Sequence, residues 1–236
     1  DCLRETFNKE GASAIGLLGS PLCSLEDNFV LREVASKALT PENIWAASYL
    51  PAGESDHFLR LSDPCPNQNG IKFLELETNA TKLEESLASG QIKVLVVLSH
   101  SFETEKLLQL IKEKVEYIIL LGTHQTELSK TATFTLPIPV HAEQYATYIN
   151  GQGILQKVQQ AYSPLNEAEP AWFILSELFS LLAEGLKYSD VEQIWTQFRE
   201  KFNTLAPYTF YDLPDTGIKL MEVAMSRTLS MILALC

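Results

Sequence analysis

Two histidines and a run of hydroxyls pose the chemical question in this chain. Ser99-His100 follows an apolar stretch at residues 92–98, and Gly122-Thr123-His124-Gln125-Thr126 follows another at 117–121. Paired imidazoles at such places could hold a phosphate, act as acid and base, or bind a metal with a third ligand. No Asp or Cys stands near to complete a metal set, and no Ser–His–Asp order marks a nucleophile. The plainer reading is a pair of solvated loop histidines. A third turn of similar make-up, Gly19-Ser20, leads to Ser24, which can cap a helix opening Leu25-Glu26-Asp27-Asn28. A helix N-terminus at a strand end is a possible anion cradle; the sparer reading is an α/β crossover. His57 and His141 carry no usable signal.

The elements that must position these turns are short and apolar. Residues 92–98 and 117–121 show no alternation, so each should be covered on both faces, as in a parallel sheet between helices. A helix over residues 103–114 joins them, and right-handed crossover makes the two strands parallel neighbours. His100 and His124 then stand just past the carboxyl ends of adjacent strands, where ligands of such sheets bind. Residues 14–19 form a further short strand, 44–50 another, and an apolar strand ends in Leu136-Pro137. Residues 56–70 read as a polar loop, because two prolines and Asn69-Gly70 oppose regular structure. Helices are expected before Gly11, over 25–39 and over 83–87. Later come amphipathic helices from Pro170 to Leu186 and over 190–202, with aromatic stripes that read as core. Residues 218–236 read as a packed closing helix. The fold class is α/β: a mainly parallel, Rossmann-like doubly wound sheet with helices on both faces. Residues 1–160 form that domain and 161–236 a helical C-terminal appendage.

The 236 residues, 46% of them hydrophobic, can bury one large core or two small ones. A net charge of −12 and a pI near 4.8 exclude a general nucleic-acid binder and suit an acidic surface or a basic partner. No apolar run approaches the ~20 residues that cross a bilayer, and no secretory signal opens the chain. The four cysteines, Cys2, Cys23, Cys65 and Cys236, form no C-x-x-C pair, as an iron–sulfur cluster or structural zinc would require. They read as reduced cysteines of a cytosolic protein. The opening Asp1-Cys2-Leu3-Arg4, without Met, reads as a piece of something longer.

One stretch carries a family likeness. Ala132, Leu136 and Pro137 fit an Ala-Asp-Val-Val-Leu-Pro pattern. Glu143, Thr147, Asn150, Gly153 and Gln156 fit Glu-x-x-Gly-Thr-x-x-Asn-x-Glu-Gly-Arg-x-Gln. The order and spacing resemble the C-terminal part of a molybdopterin oxidoreductase domain, and Ala161, Ala168 and Trp172 follow the same trend. Thr133, Ala146, Gln152 and Ile154 depart from it, removing polar groups that would face a pterin. Gly19-Ser20 and residues 25–28 partly match the family's first turn. Where catalytic members place a metal-ligating Cys, selenocysteine or Ser, this chain has Ser48-Tyr49-Leu50-Pro51, and neither Leu50 nor Pro51 can ligate. Asp63, Pro66, Asn67 and Gly70 form an Asp-x-x-Pro-Asn-x-x-Gly loop similar to that of the large iron–sulfur (G) subunit of NADH–quinone oxidoreductase.

That resemblance implies a non-catalytic, metal-free scaffold supporting electron transfer from NADH to quinone. Iron–sulfur clusters would lie in an N-terminal part beyond these residues. Other peripheral-arm subunits of a respiratory NADH dehydrogenase would be the partners, at a cytoplasmic site peripheral to the inner membrane, without membrane insertion or nucleic acid. The alternative is part of a formate dehydrogenase-like, molybdopterin-dependent oxidoreductase. Gly19, Ser20, Ser99, His100, Gly122, Thr123, His124 and Thr126 would then cradle the phosphates and ribose of a molybdopterin guanine dinucleotide. Glycine permits close backbone approach, and hydroxyls and imidazoles donate to anions. A nucleotide-binding interaction module ranks last, since neither G-x-G-x-x-G nor a P-loop is present.

Overall fold

The computed structural model describes residues 1–46, 53–56, 60–99 and 105–220. Its centre is a parallel sheet of β1 (Ile15–Leu18), β2 (Ile44–Trp45), β3 (Val94–Leu98), β4 (Tyr117–Gly122) and β5 (Phe134–Pro137). The spatial order is β2-β1-β3-β4-β5. This is a doubly wound order of the flavodoxin type, and its direction of winding reverses between β1 and β3. The register pairs Leu18 with Val97, Leu98 with Leu121 and Gly122 with Pro137, which brings the carboxyl ends of four strands close to level.

Alternate residues of each strand enter different cores, which explains the unbroken apolar runs. Ile15, Leu17, Val94, Val96, Leu98, Ile119 and Leu121 pack on one side, with α2 (Leu25–Ala38), α6 (Ala171–Phe179) and α7 (Val191–Lys201). Leu18, Leu95, Val97, Ile118 and Leu120 pack on the other, with Leu83 and Leu87 of α4 (Ala80–Ala88) and Leu107 and Ile111 of α5 (Glu105–Lys114). A first helix, α1 (Cys2–Glu10), stops at Gly11, whose φ of +84° favours glycine. The Rossmann-like α/β expectation is met.

Other expectations change. The motif of residues 143–156, to which the sequence pattern assigned no element, lies on a hairpin. Its strands β6 (Ala146–Ile149) and β7 (Ile154–Val158) form a second, antiparallel sheet with β8 (Ile218–Lys219). Asn150 makes the turn: its Oδ1 accepts from the amides of Gln152 and Ile154, and Gly153 follows at φ +75°. Ile218–Lys219 is therefore strand, not the start of a helix, because it completes the open edge of β7. Residues 221–236, the rest of that expected helix, lie outside the described residues. Within the expected loop 56–70, Gln68 already opens α3 (Gln68–Phe73). Strand β2 is described only as Ile44–Trp45, and Ser48 lies outside the described residues. β5 is a largely exposed edge strand. Among the described residues, Trp172, Leu175, Trp195 and Phe198, from the expected helical appendage, share one cluster with Phe29 and Val34 of α2. No helix among the described residues is long and apolar enough to cross a membrane.

Candidate functional site

The carboxyl edge of the sheet carries two turns of opposite character. The first joins β1 to α2. Asn28, fully buried in the first turns of α2, accepts from the Ser20 amide (3.0 Å) and donates from Nδ2 to the carbonyls of Ser20 (2.9 Å) and Ser24 (2.8 Å). The amide of Gly19 donates to the Trp45 carbonyl, so the strand end is tied across the sheet as well. A Cβ on Gly19 would lie 2.7 Å from Asn28 Oδ1, so this glycine serves the approach of Asn28 rather than of a ligand. Gly19 and Ser20 are buried and fully engaged. The sequence offered them as an anion cradle; their polar groups instead hold the chain to itself.

Asn67 extends this clamp. Its Nδ2 donates to the Cys23 carbonyl and its Oδ1 accepts from the Ile149 amide, each at 2.9 Å, tying the first turn to the hairpin. Gly70 leaves room for it, since a Cβ there would lie 2.0 Å from Asn67 Oδ1. The Asp-x-x-Pro-Asn-x-x-Gly loop is thus a joint between elements, and Asp63 adds a short-range bond to the Cys65 amide.

Two buried acids at the start of α2 complete the joint. Glu26 accepts from the amide and hydroxyl of Thr147 on β6 (2.9 and 2.7 Å) and from Trp195 Nε1 on α7 (2.9 Å). Asp27 forms a capping box with Ser24, and its other oxygen accepts from the Trp172 amide in the first turn of α6 (2.9 Å). Neither acid has an ion pair among the described residues, whereas the equally buried Glu33 pairs with Lys37 and Lys201. Burial accordingly pushes the carboxyls of Glu26 and Asp27 above their ordinary range, opposed by these hydrogen bonds. Sequence reading had the Glu26-Asp27-Asn28 string but not its partners, which lie up to 169 residues away.

The second turn is open. Gly122, Thr123, His124 and Thr126, after β4, line a cleft of about 800 Å³ together with Ser99 after β3. His124 is exposed, with Nδ1 2.7 Å from the Thr123 hydroxyl, a contact that steadies the ring. Ser99 has φ +31°, an unusual left-handed conformation for a residue with a side chain. Thr126 and Ser129 cap each other, so the Thr126 hydroxyl is partly engaged. A Cβ at Gly122 would meet only ordinary contacts, so no close backbone approach requires glycine there. His100 lies outside the described residues.

Opposite this turn the cleft is walled by Ile138, Val140 and Val158, with Tyr148 and Gln144 from the hairpin region and Asp27 and Cys23 from the clamp. His141, which gave no signal in the sequence, joins His124 as a second lining imidazole. Gln144 is 7% exposed; its side chain hydrogen-bonds Tyr148, and its Oε1 has no partner. Burial, then the charge of Asp27, raises the phenol of Tyr148; burial first and the same charge second push the thiol of Cys23 well up. Among the described residues no group of three or more His, Cys, Asp or Glu is arranged to hold a metal.

The fit to a pterin dinucleotide can be judged from these residues. A pyrophosphate needs cations or free backbone amides. No Lys or Arg is among the described lining residues. Of the two helix starts nearby, Asp27 takes the Ser24 amide at α2 and the Trp172 amide at α6. The described lining residues do not fit an anionic dinucleotide.

Comparison with known proteins agrees with the motif residues. Residues 66–181 match the family model described as molybdopterin oxidoreductase. The NADH-ubiquinone oxidoreductase 75 kDa subunit of Reclinomonas americana is 29% identical over 132 residues, covering 55% of this chain and 18% of that protein. The probable oxidoreductase YjgC of Bacillus subtilis (strain 168) is 24% identical over 129 residues, covering 53% and 12%. The NADPH-Fe(3+) oxidoreductase subunit alpha of Geobacter sulfurreducens (strain DL-1 / KN400) is 29% identical over 102 residues, covering 42% and 12%. The match therefore spans less than a fifth of the length of each relative.

Proposed function

We propose that this chain, which carries a molybdopterin oxidoreductase segment over residues 66–181, is a non-catalytic scaffold part of the large iron–sulfur subunit of an NADH–quinone oxidoreductase. One observation carries this reading: the motif residues bond their polar groups within the chain. Asn67 joins the first turn to β6, Thr147 binds Glu26, Asn150 makes the hairpin turn, and Gln156 accepts from Asn150 Nδ2. A family pattern that survives as internal joints, with no Lys or Arg among the described lining residues, suits a domain retained for its shape. The similarity to the 75 kDa subunit supports the same assignment. In this reading electrons pass through iron–sulfur clusters in another part of the subunit. The partners are peripheral-arm subunits, and the assembly lies on the cytoplasmic side of the inner membrane.

The second reading, a dinucleotide-binding part of a molybdopterin-dependent oxidoreductase, has the position of the cleft in its favour and the charge of the lining against it. Deleting the segment in its host separates the two. The scaffold reading expects loss of membrane NADH–quinone reductase activity together with loss of the assembled peripheral arm. Intact NADH oxidation with loss of a molybdenum-dependent dehydrogenase activity would overturn it.

A further inference from the structure

Strand β5 forms one edge of the parallel sheet and pairs with β4 alone among the described residues. Beyond its end the Ile138 amide donates to the Gly122 carbonyl. Backbone groups alternate in direction along a strand, so Leu136 and Phe134 also turn theirs to β4. Those of Thr133, Thr135 and Pro137 then point outward. No hydrogen bond among the described residues takes up these outward groups. Proteins ordinarily blunt such an edge with lysines, inward charges or a covering element. Here no Asp, Glu, Lys or Arg occurs over residues 131–142, in a chain of net charge −12. Pro137 guards only the last position of the strand. Phe134 is 48% exposed, and Thr135 beside it is exposed too.

We infer that β5 pairs with β5 of a second copy of the chain, antiparallel and edge to edge, about a two-fold axis at Thr135. The strand is complementary to itself in this register, which overlaps it over its whole length. Thr135 faces Thr135 of the second copy, and the two exchange a pair of N–H···O bonds. Phe134 stands opposite Leu136 of the second copy, at a position between hydrogen-bonded pairs, where side chains approach most closely. Each exposed ring gains an apolar neighbour on the same face of the joined sheet. At the ends, the Thr133 amide donates to the Pro137 carbonyl, and the proline has no amide to return. Two acidic chains can meet along this seam because no like charges face each other across it. The inference goes beyond the scaffold reading and does not rest on it.

Sedimentation equilibrium of the purified chain tests it. A monomer–dimer equilibrium is expected, with a dissociation constant on the order of 0.1 mM, because strands of four residues make a small, transient interface. Thr135→Pro removes an outward amide and none that bonds β4, a change that edge strands accept. It should weaken the dimer about tenfold or more, through two lost hydrogen bonds, and leave the thermal midpoint nearly unchanged. Thr135→Cys should cross-link to itself under mild oxidation, well beyond the wild-type chain, since hydrogen-bonded pairs hold their Cα atoms about 5.5 Å apart. Phe134→Cys should not, because Leu136 faces it. If Thr135→Pro does not fold, the cross-linking comparison still decides. The inference is overturned if the chain stays monomeric at millimolar concentration, if Thr135→Pro dimerises as the wild type does, or if Thr135→Cys cross-links no better than Phe134→Cys. None of these outcomes bears on whether the segment scaffolds a respiratory complex, so the two ideas fail separately.

Discussion

The β1–α2 turn and the β4–β5 turn stand on the same edge of one sheet, follow strands of the same kind, and carry similar Gly, Ser and Thr residues. One is sealed. Asn28 and Asn67 take up its amides and carbonyls, and Asp27 closes the helix start behind it. The other keeps Thr123 and His124 partly open to an 800 Å³ cleft. A strand end at a topological switch point is therefore not a sufficient sign of a ligand site. The accounting of backbone donors and acceptors decides, because a buried amide that already has a partner cannot attract an anion.

That contrast makes stability and binding separable by mutation. Asn28→Ala leaves the Ser20 amide and carbonyl buried and bare, and should cost roughly 3–4 kcal/mol in urea unfolding. Thr147→Val removes the hydroxyl bond to Glu26 but keeps its amide bond and the shape, so about 1–2 kcal/mol is expected from the same measurement. At the open turn, His124→Ala should shift stability by no more than about 0.5 kcal/mol, as an exposed loop substitution does. A large loss at His124, or none at Asn28, would erase the distinction between the turns.

The acids of the sealed side add a pH signature. Burial raises the folded-state values of Glu26 and Asp27 above their ordinary 4.5 and 3.8. The folded chain then holds protons that the unfolded chain releases. Their contribution is fully present below those ordinary values and is lost as pH rises through the raised ones. Thermal midpoints should therefore fall as pH rises from about 4 toward neutrality, and Asp27→Asn should flatten that slope. An unchanged slope in the variant would show that Asp27 is not among the titrating groups.

Much of the fold was legible because local pattern and tertiary role coincide. The unalternating runs at 92–98 and 117–121 became β3 and β4, and Asp190 caps α7 through the Gln193 amide as its type suggests. The hairpin of residues 146–158 was missed although Asn150-Gly151 between two partly apolar runs is a hairpin signal; its ties to Glu26 and Asn67, far away in sequence, had no local mark. The last strand, Ile218–Lys219, takes its form from the edge of β7 and not from its own residues. Ser99, Gly122, Thr123, His124 and Thr126, singled out by position at strand ends, line the cleft. Gly19 and Ser20, singled out for a composition that suits an anion, are instead held by the side chain of Asn28. His141 and Gln144 were missed because a loop between two sheets carries no periodicity to mark which side chains turn inward.

The most direct test of the scaffold account is native mass spectrometry of the purified chain, with elemental analysis for molybdenum, tungsten, iron and zinc. The account predicts the bare polypeptide mass of 26.4 kDa, with no pterin dinucleotide and no stoichiometric metal. A one-to-one pterin dinucleotide adduct would contradict it and return the cleft to the chemistry of the cofactor.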